Sequence, residues 1–380
     1  MFGRPSHRAK LQTRRLLIIL VCAAAAGAVI FLFATGHFPA LVFGSGNVRS
    51  IGRTLPENIQ AGGAGFLYSE GSQLTCLNES GSEAWSLNVN LSDITTRTSE
   101  DLILNYSGPN LQVMRYTKEQ LFATSVDSEI LDGAAGMDYV AVSIDAPPDD
   151  ATVQQMIYVF GEDGQKSTQL SLNREVIDFG FFSDDSQTDL FWVLSLDTSG
   201  AAPISHISVY NKTTGEINYS ISMSDRVVEK VYVTSNLIFA SGSGLMSAYT
   251  YQGELQSELA VHGWKPAEAA LQPLTLRVVY VPRAADVHYE SLLVFQAEEG
   301  ANANSFADHH FMLPMGVIDA AITTSNVFAF TEDSMYVYSL DGTLQRIQRL
   351  GATIESVKQV SGTCAVLWGD GGRTYIMQLQ

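Results

Sequence analysis

Phe66–Leu87 reads FLYSEGSQLTCLNESGSEAWSL, Leu237–Leu259 reads LIFASGSGLMSAYTYQGELQSEL, and Val327–Leu350 reads VFAFTEDSMYVYSLDGTLQRIQRL. Each stretch holds an apolar run, a small polar turn, a second alternating run, a turn with glycine (Gly81, Gly253, Gly342) and a third strand-like run. Short strands repeating every roughly 40–50 residues are the signature of a β-propeller. The expected fold is therefore all-β, a propeller, preceded by one N-terminal transmembrane helix.

Outward from these three units, the chain parses into strand clusters at about 56–92, 94–128, 130–173, 174–224, 226–262, 272–311, 312–350 and 352–380. Asp163-Gly164, Thr214-Gly215 and Asp341-Gly342 each precede an outer strand, and glycine accepts the positive φ of a tight hairpin turn. The last cluster stops after three strands, which leaves a sheet edge open unless an N-terminal strand completes it. Asn47–Leu55 (NVRSIGRTL) is placed to do so. Asn47–Gln380 divided over eight blades gives about 42 residues each, and over seven about 48. Eight is the expected number and seven the alternative.

The N-terminus has a different character. Residues 1–15 carry Arg4, Arg8, Lys10, Arg14 and Arg15 and no acid, and Leu16–Ala34 (LLIILVCAAAAGAVIFLFA) carries no charge. A helix of that length spans about 28 Å at ~1.5 Å per residue, close to the ~30 Å bilayer core. The basic flank places the N-terminus in the cytoplasm and the rest outside, as a signal anchor. A cleaved signal peptide is the competing reading, disfavoured by the long apolar stretch and by the lack of an A-x-A site in Thr35–Gly44. The expected organisation is a cytoplasmic arm (1–15), a membrane anchor (16–34), a stalk (35–46) and an extracytoplasmic propeller (47–380).

Charge narrows the ligands. The chain has 22 basic and 40 acidic residues. Without the basic arm it keeps 17 against 40, a formal charge of −23. Nucleic acid and anionic lipid headgroups would be repelled. Cationic ligands and basic protein patches suit such a surface better.

Motifs for chemistry are sparse. No phosphate-binding G-x-x-x-x-G-K-[ST], G-x-S-x-G elbow, H-E-x-x-H or C-x-x-C is present. Asp308 and His310 share a strand face while His309 points away, too few ligands for zinc. The acidic pieces Asp149-Asp150 and Asp184-Asp185-Asp189 lack calcium-loop spacing. No metal site, cofactor or catalytic residue is expected. Cys76 and Cys364 fall in neighbouring first and last units, so they either staple the closure or stand as two independent buried thiols. In His262–Pro273 (HGWKPAEAALQP), Pro266 followed by AEAAL suggests a short helix presenting Trp264 as a partner contact; the alternative packs Trp264 between the fifth and sixth units.

With Tyr68, Gly71, Leu74, Leu77, Gly81 and Trp85, the unit Phe66–Leu87 resembles a degenerate repeat of quinoprotein-type propellers. There a glycine turn and the tryptophan after it dock successive blades. Leu255 and Leu344 stand near that tryptophan's place in other units. The basic arm, single span and propeller-like remainder also resemble membrane-anchored proteins of Gram-positive bacteria. That second resemblance implies localisation and fold but no activity. Two functions follow as expectations: a non-catalytic binding or scaffolding module at the cell envelope, or a quinoprotein-like dehydrogenase. The enzyme would need calcium-binding Glu, Asn or Asp groups and a stacking tryptophan on the central channel.

Overall fold

The computed structural model describes residues 42–43, 48–63, 65–147, 152–182, 189–284, 288–300 and 304–379. The membrane anchor expected at Leu16–Ala34, the arm before it and most of the stalk lie outside the described residues. Among the described residues no helix is long and apolar enough to cross a membrane.

The chain from Phe43 onward forms one compact unit of eight antiparallel sheets, each built on a four-strand meander. Blade 1 runs Gln60–Gly62, Gly65–Glu70, Gln73–Asn78 and Glu83–Asn88. Blades 2 to 5 repeat the pattern across Thr95–Ser125, Ile130–Leu172, Glu175–Ser224 and Val228–Ala260. Blades 6 and 7 follow across Trp264–Val317 and Asp319–Arg349. Blade 8 has only Ile354–Ser361, Cys364–Gly369 and Arg373–Gln378 from the C-terminal end. Its fourth strand is Val48–Ser50, paired antiparallel with Val48 opposite Met377, Arg49 opposite Ile376 and Ser50 opposite Tyr375. The ring is an eight-bladed propeller, closed by pairing the two ends of the described chain.

The apolar residues do not gather into one core. They fall into eight clusters, each shared by one neighbouring pair of blades. Leu67, Leu74, Ile103 and Met114 join blades 1 and 2; Phe239, Met246, Tyr280 and Phe295 join blades 5 and 6; Leu55, Phe66, Val366 and Ile376 join blades 8 and 1. A strand between two such clusters is buried on both faces. It therefore reads as a continuous apolar run, as in Leu102–Ser107 (LILNYS) and Leu190–Asp197 (LFWVLSLD). Outermost strands face water on one side and alternate, as Leu255–Ala260 does.

Two boundaries differ from the sequence expectation. Blade 6 begins at Trp264 and not near 272, because Trp264–Gln272 is its innermost strand and no helix forms there. Alanine-rich helix propensity yields to pairing with Thr275–Pro282 and to burial of Ala270. Pro266 is accommodated because the strand lies at a sheet edge and the register shifts beside it. At the far end, the outermost strand Ser305–Val317 continues past 311 through an irregularity opposite Tyr289 and Ser291.

The turn before the fourth strand recurs with the same chemistry. In blade 7 the Asp341 carboxylate accepts the Thr343 N–H at 3.0 Å, and Gly342 takes φ 86°. A Cβ at Gly342 would stand 2.7 Å from the Phe311 side chain of blade 6. Gly342→Ala is expected to cost about 1–3 kcal/mol from the left-handed backbone and the crowded ring. Chemical denaturation would show this as a lower midpoint; an unchanged midpoint would contradict it.

Candidate functional site

The first strands of neighbouring blades contact one another and make the inner ring. Each is a sheet edge with backbone groups lacking a ladder partner, so the channel must be capped by side chains. The sequence supplies caps through bulges. Register shifts fall between Ile130 and Asp132, Val176 and Asp178, Val228 and Lys230, and Pro266 and Glu268. In each, one extra residue is inserted and a charged residue follows it.

The carboxylates close on backbone amides. Asp132 Oδ1 accepts the Gly133 N–H at 2.7 Å, Asp178 Oδ1 the Phe179 N–H at 2.9 Å, and Asp319 Oδ1 the Ala320 N–H at 2.8 Å. Asp319 Oδ2 also accepts the Val357 N–H of blade 8 at 3.3 Å. Other groups tie blades together. Arg97 Nη2 meets Asp132 Oδ1 at 2.7 Å, and Gln60 Nε2 donates to the Thr96 carbonyl at 2.5 Å. Lys358 Nζ donates to the Glu57 carbonyl at 2.7 Å. Gln359 brackets Ile322, accepting its N–H at 2.8 Å and donating to its carbonyl at 2.7 Å.

Several of these side chains, though not Asp319, wall a cavity of about 560 Å³ at the channel mouth. Its lining includes Asn58, Gln60, Arg97, Asp132, Asp178, Lys230, Lys358 and Gln359, drawn from six blades. A smaller recess of about 250 Å³ lies at the closure, walled by Arg53, Thr54, Gly371 and neighbours.

Burial controls the acids here. It pushes the Glu268 carboxyl up to about 7, with the nearby Asp319 charge adding to the effect. It pushes Asp319 up to about 6, against two backbone hydrogen bonds that favour the ionised form. Asp178 is also raised by burial, opposed by Lys230. A raised acid pKa means that the folded state keeps a proton which the unfolded chain, near ~4.3, has lost. Stability contributed by protonated Glu268 is fully present below that value and lost as pH rises through about 7. Glu268→Gln should therefore be more stable than the parent at pH 8, by about 1–3 kcal/mol after allowance for partial solvation, with the gap closing near pH 4. Unfolding midpoints across that range test it; a gap independent of pH would refute the assignment.

The residues singled out from sequence lie elsewhere. Trp264 is half-buried in the cluster between blades 5 and 6, with its ring edge-on to His310 at 5.3 Å between centroids. Cys76 and Cys364 are both buried free thiols. Cys76 belongs to the seam between blades 1 and 2, and Cys364 to the seam between 8 and 1, so the sheet of blade 1 stands between them. Asp308, His309 and His310 lie on the outermost strand of blade 6. Among the described residues no three His, Cys, Asp or Glu side chains converge. The acidic stretches at 149–150 and 184–185 lie outside the described residues, although Asp189 is described.

A quinone cofactor does not fit this channel. The four tryptophans pack in seams: Trp85 between blades 1 and 2, Trp192 between 4 and 5, Trp264 between 5 and 6, and Trp368 between 8 and 1. None lines the cavity to stack on a ring. Trp85 does dock two blades, the role implied by the resemblance to quinoprotein-type repeats. The charged ring was missed from sequence. Its signal is an aliphatic residue, one residue of any kind, then a charge at the start of a repeat: Ile130-x-Asp132, Val176-x-Asp178, Val228-x-Lys230, Val317-x-Asp319.

Among solved structures, the chain is similar to BamB from Moraxella catarrhalis, with 11% identity over 86% of this chain and 97% of that one, TM-score 0.53. The likeness is one of fold. Weaker similarity extends to a chain of the mitotic checkpoint complex (9% identity, 88% and 95% covered, TM-score 0.49). It extends also to the Pan2 WD40 domain of Neurospora crassa (10% identity, 76% and 90% covered, TM-score 0.45). No protein-family model and no curated protein matches the sequence.

Proposed function

We propose that this protein is a non-catalytic binding or scaffolding module at the cell envelope, anchored by Leu16–Ala34 with its N-terminus in the cytoplasm and its propeller outside. The observation that carries the binding reading is the channel mouth. Six blades contribute side chains to one cavity, and cross-blade hydrogen bonds hold them in place. Most of its charged groups are committed to protein partners, which suits positioning and recognition. The resemblance to BamB supports the scaffold and leaves the partner open. The uncharged span and its basic flank support the anchoring.

The test is crosslinking in intact bacterial cells expressing the full chain, then capture in detergent and mass spectrometry. Reproducible envelope proteins that disappear without crosslinker are expected; repeated capture of nothing above an unrelated membrane protein would overturn the reading. Alkaline phosphatase fused after Gln380 should be active if the propeller is outside. An inactive phosphatase with a fluorescent GFP fusion at the same place would reverse the topology.

A further inference from the structure

The smaller recess, at the closure of the ring, has a charge pattern unlike the rest of this chain. After its first 15 residues the chain has 17 bases to 40 acids. Among the described residues, the recess of about 250 Å³ is walled by Arg53 and Arg373 with Ser50, Thr54, Thr374 and three glycines, and by no carboxylate and no large apolar side chain. Arg53 is held by blade 1: its Nη1 donates to Glu83 Oε2 at 3.1 Å, and its guanidinium lies over the Tyr68 ring, 5.8 Å from the centroid. A guanidinium has five N–H donors, so most of this fork is uncommitted. Arg373 opens the last strand of blade 8, is exposed, and among the described residues makes no hydrogen bond or ion pair through its side chain. Glu83 is spent on Arg53, and Asp370, next to the glycines in sequence, lies outside the wall.

The walls are fixed before any ligand arrives. Thr54 Oγ1 donates to the Gly372 carbonyl at 2.5 Å, and Thr374 Oγ1 accepts the Leu55 N–H at 2.9 Å. Gly371 and Gly372 take φ 71° and 74°, so the turn presents bare backbone and no side chain fills the space. A recess with two guanidiniums favours an anion, and guanidinium forks match tetrahedral oxyanions through paired hydrogen bonds. The acid surplus of the whole chain repels extended polyanions, so the ligand that fits is compact.

We propose that this recess binds the phosphate or sulfate group of a small ester, and that the bound group locks the closed ring. Arg373 and Arg53 pair with its oxygens, and the Ser50 hydroxyl donates a further bond. Ser50 and Arg53 belong to the segment that closes the ring, and Arg373 to the strand it closes on. The site is therefore complete only when the two ends have met, and its ligand stabilises the folded ring by mass action. It is separate from the channel mouth and goes beyond the binding reading above; each can fail without the other.

The test uses the full chain in detergent micelles, titrated calorimetrically with inorganic phosphate, sulfate, glycerol 1-phosphate and acetate in a buffer free of these ions. Phosphate or sulfate should bind with a dissociation constant of about 1 mM, the scale of a few charge-assisted hydrogen bonds. Arg373→Gln should weaken this about tenfold, and Arg373→Lys should retain part of it. At about ten times the dissociation constant the parent's melting temperature should rise roughly 3–6 °C, and far less in Arg373→Gln, which keeps only the general effect of the salt. Melts without added anion confirm that each variant is folded. Tighter binding of glycerol 1-phosphate than of either inorganic ion would assign a phosphate ester; tighter binding of sulfate than of both phosphates would assign a sulfate group. No binding of any oxyanion up to about 10 mM, equal binding by Arg373→Gln, or acetate binding as tightly as phosphate would each overturn the proposal. Tighter binding to micelles carrying phosphatidylglycerol than to any soluble anion would overturn the compact ligand. Equal rises in melting temperature for parent and Arg373→Gln would overturn the lock on closure.

Discussion

Deleting Val48–Leu55 from the otherwise full chain is expected to lower the melting temperature by at least ~10 °C or leave the protein aggregated. Three losses combine. The edge of Arg373–Gln378 loses its partner strand. Thr374 and Trp368 lose their bonds to this segment: the Ile51 N–H to the Thr374 carbonyl at 3.1 Å, the Leu55 N–H to Thr374 Oγ1 at 2.9 Å, and the Trp368 indole N–H to the Leu55 carbonyl at 2.7 Å. Leu55, 1% exposed, leaves the cluster shared by blades 8 and 1. Removing one buried leucine side chain costs about 2–5 kcal/mol by itself. For a domain of this size each kcal/mol shifts the melting temperature by roughly 2–4 °C. Differential scanning fluorimetry reads the result, and a melting temperature within a degree or two of the parent would show that the ring does not depend on this closure.

Phe239→Ala carries the second large effect. Phe239 is fully buried between blades 5 and 6, edge-on to Phe295 with 6.0 Å between ring centroids. Its truncation should cost about 3–5 kcal/mol, because a rigid seam relaxes only partly around the void. Phe239→Leu, which keeps most of the volume, should cost under about 1.5 kcal/mol. Equilibrium urea unfolding of the two variants separates these outcomes. Equal midpoints would mean that the seam collapses freely around the smaller side chain.

The propeller was legible because its units are punctuated chemically. Gly81, Gly253 and Gly342 mark the turn before each outer strand, and all three have positive φ in the structure. The apolar runs between them are long because both faces of each sheet are covered. Legibility failed at Lys265–Leu271, where alanine and glutamate favour helix locally and only the neighbouring strand makes the segment extended. It failed more completely at the channel. Arg97 and Asp132 look like isolated surface charges in the sequence, and they meet only because the first strands of blades 2 and 3 stand side by side on the ring, the second of them bulged just before Asp132. Trp264 packs in the seam between blades 5 and 6, the alternative that the sequence offers beside an exposed partner contact.

Sharing every apolar cluster between two blades has a consequence for how the molecule is made. No blade can bury both faces until its neighbours exist, and the strand that finishes blade 8 is synthesised before blade 1. Val48 must wait, unpaired, until Met377 has emerged from the ribosome. During that interval the nascent chain exposes one unfinished edge and two uncovered faces, at its first and last blades. Contacts this distant in sequence form late and slowly. The emerging protein is thus a client for whatever guards unpaired strands in its compartment, and its vulnerable period ends only when its two ends meet.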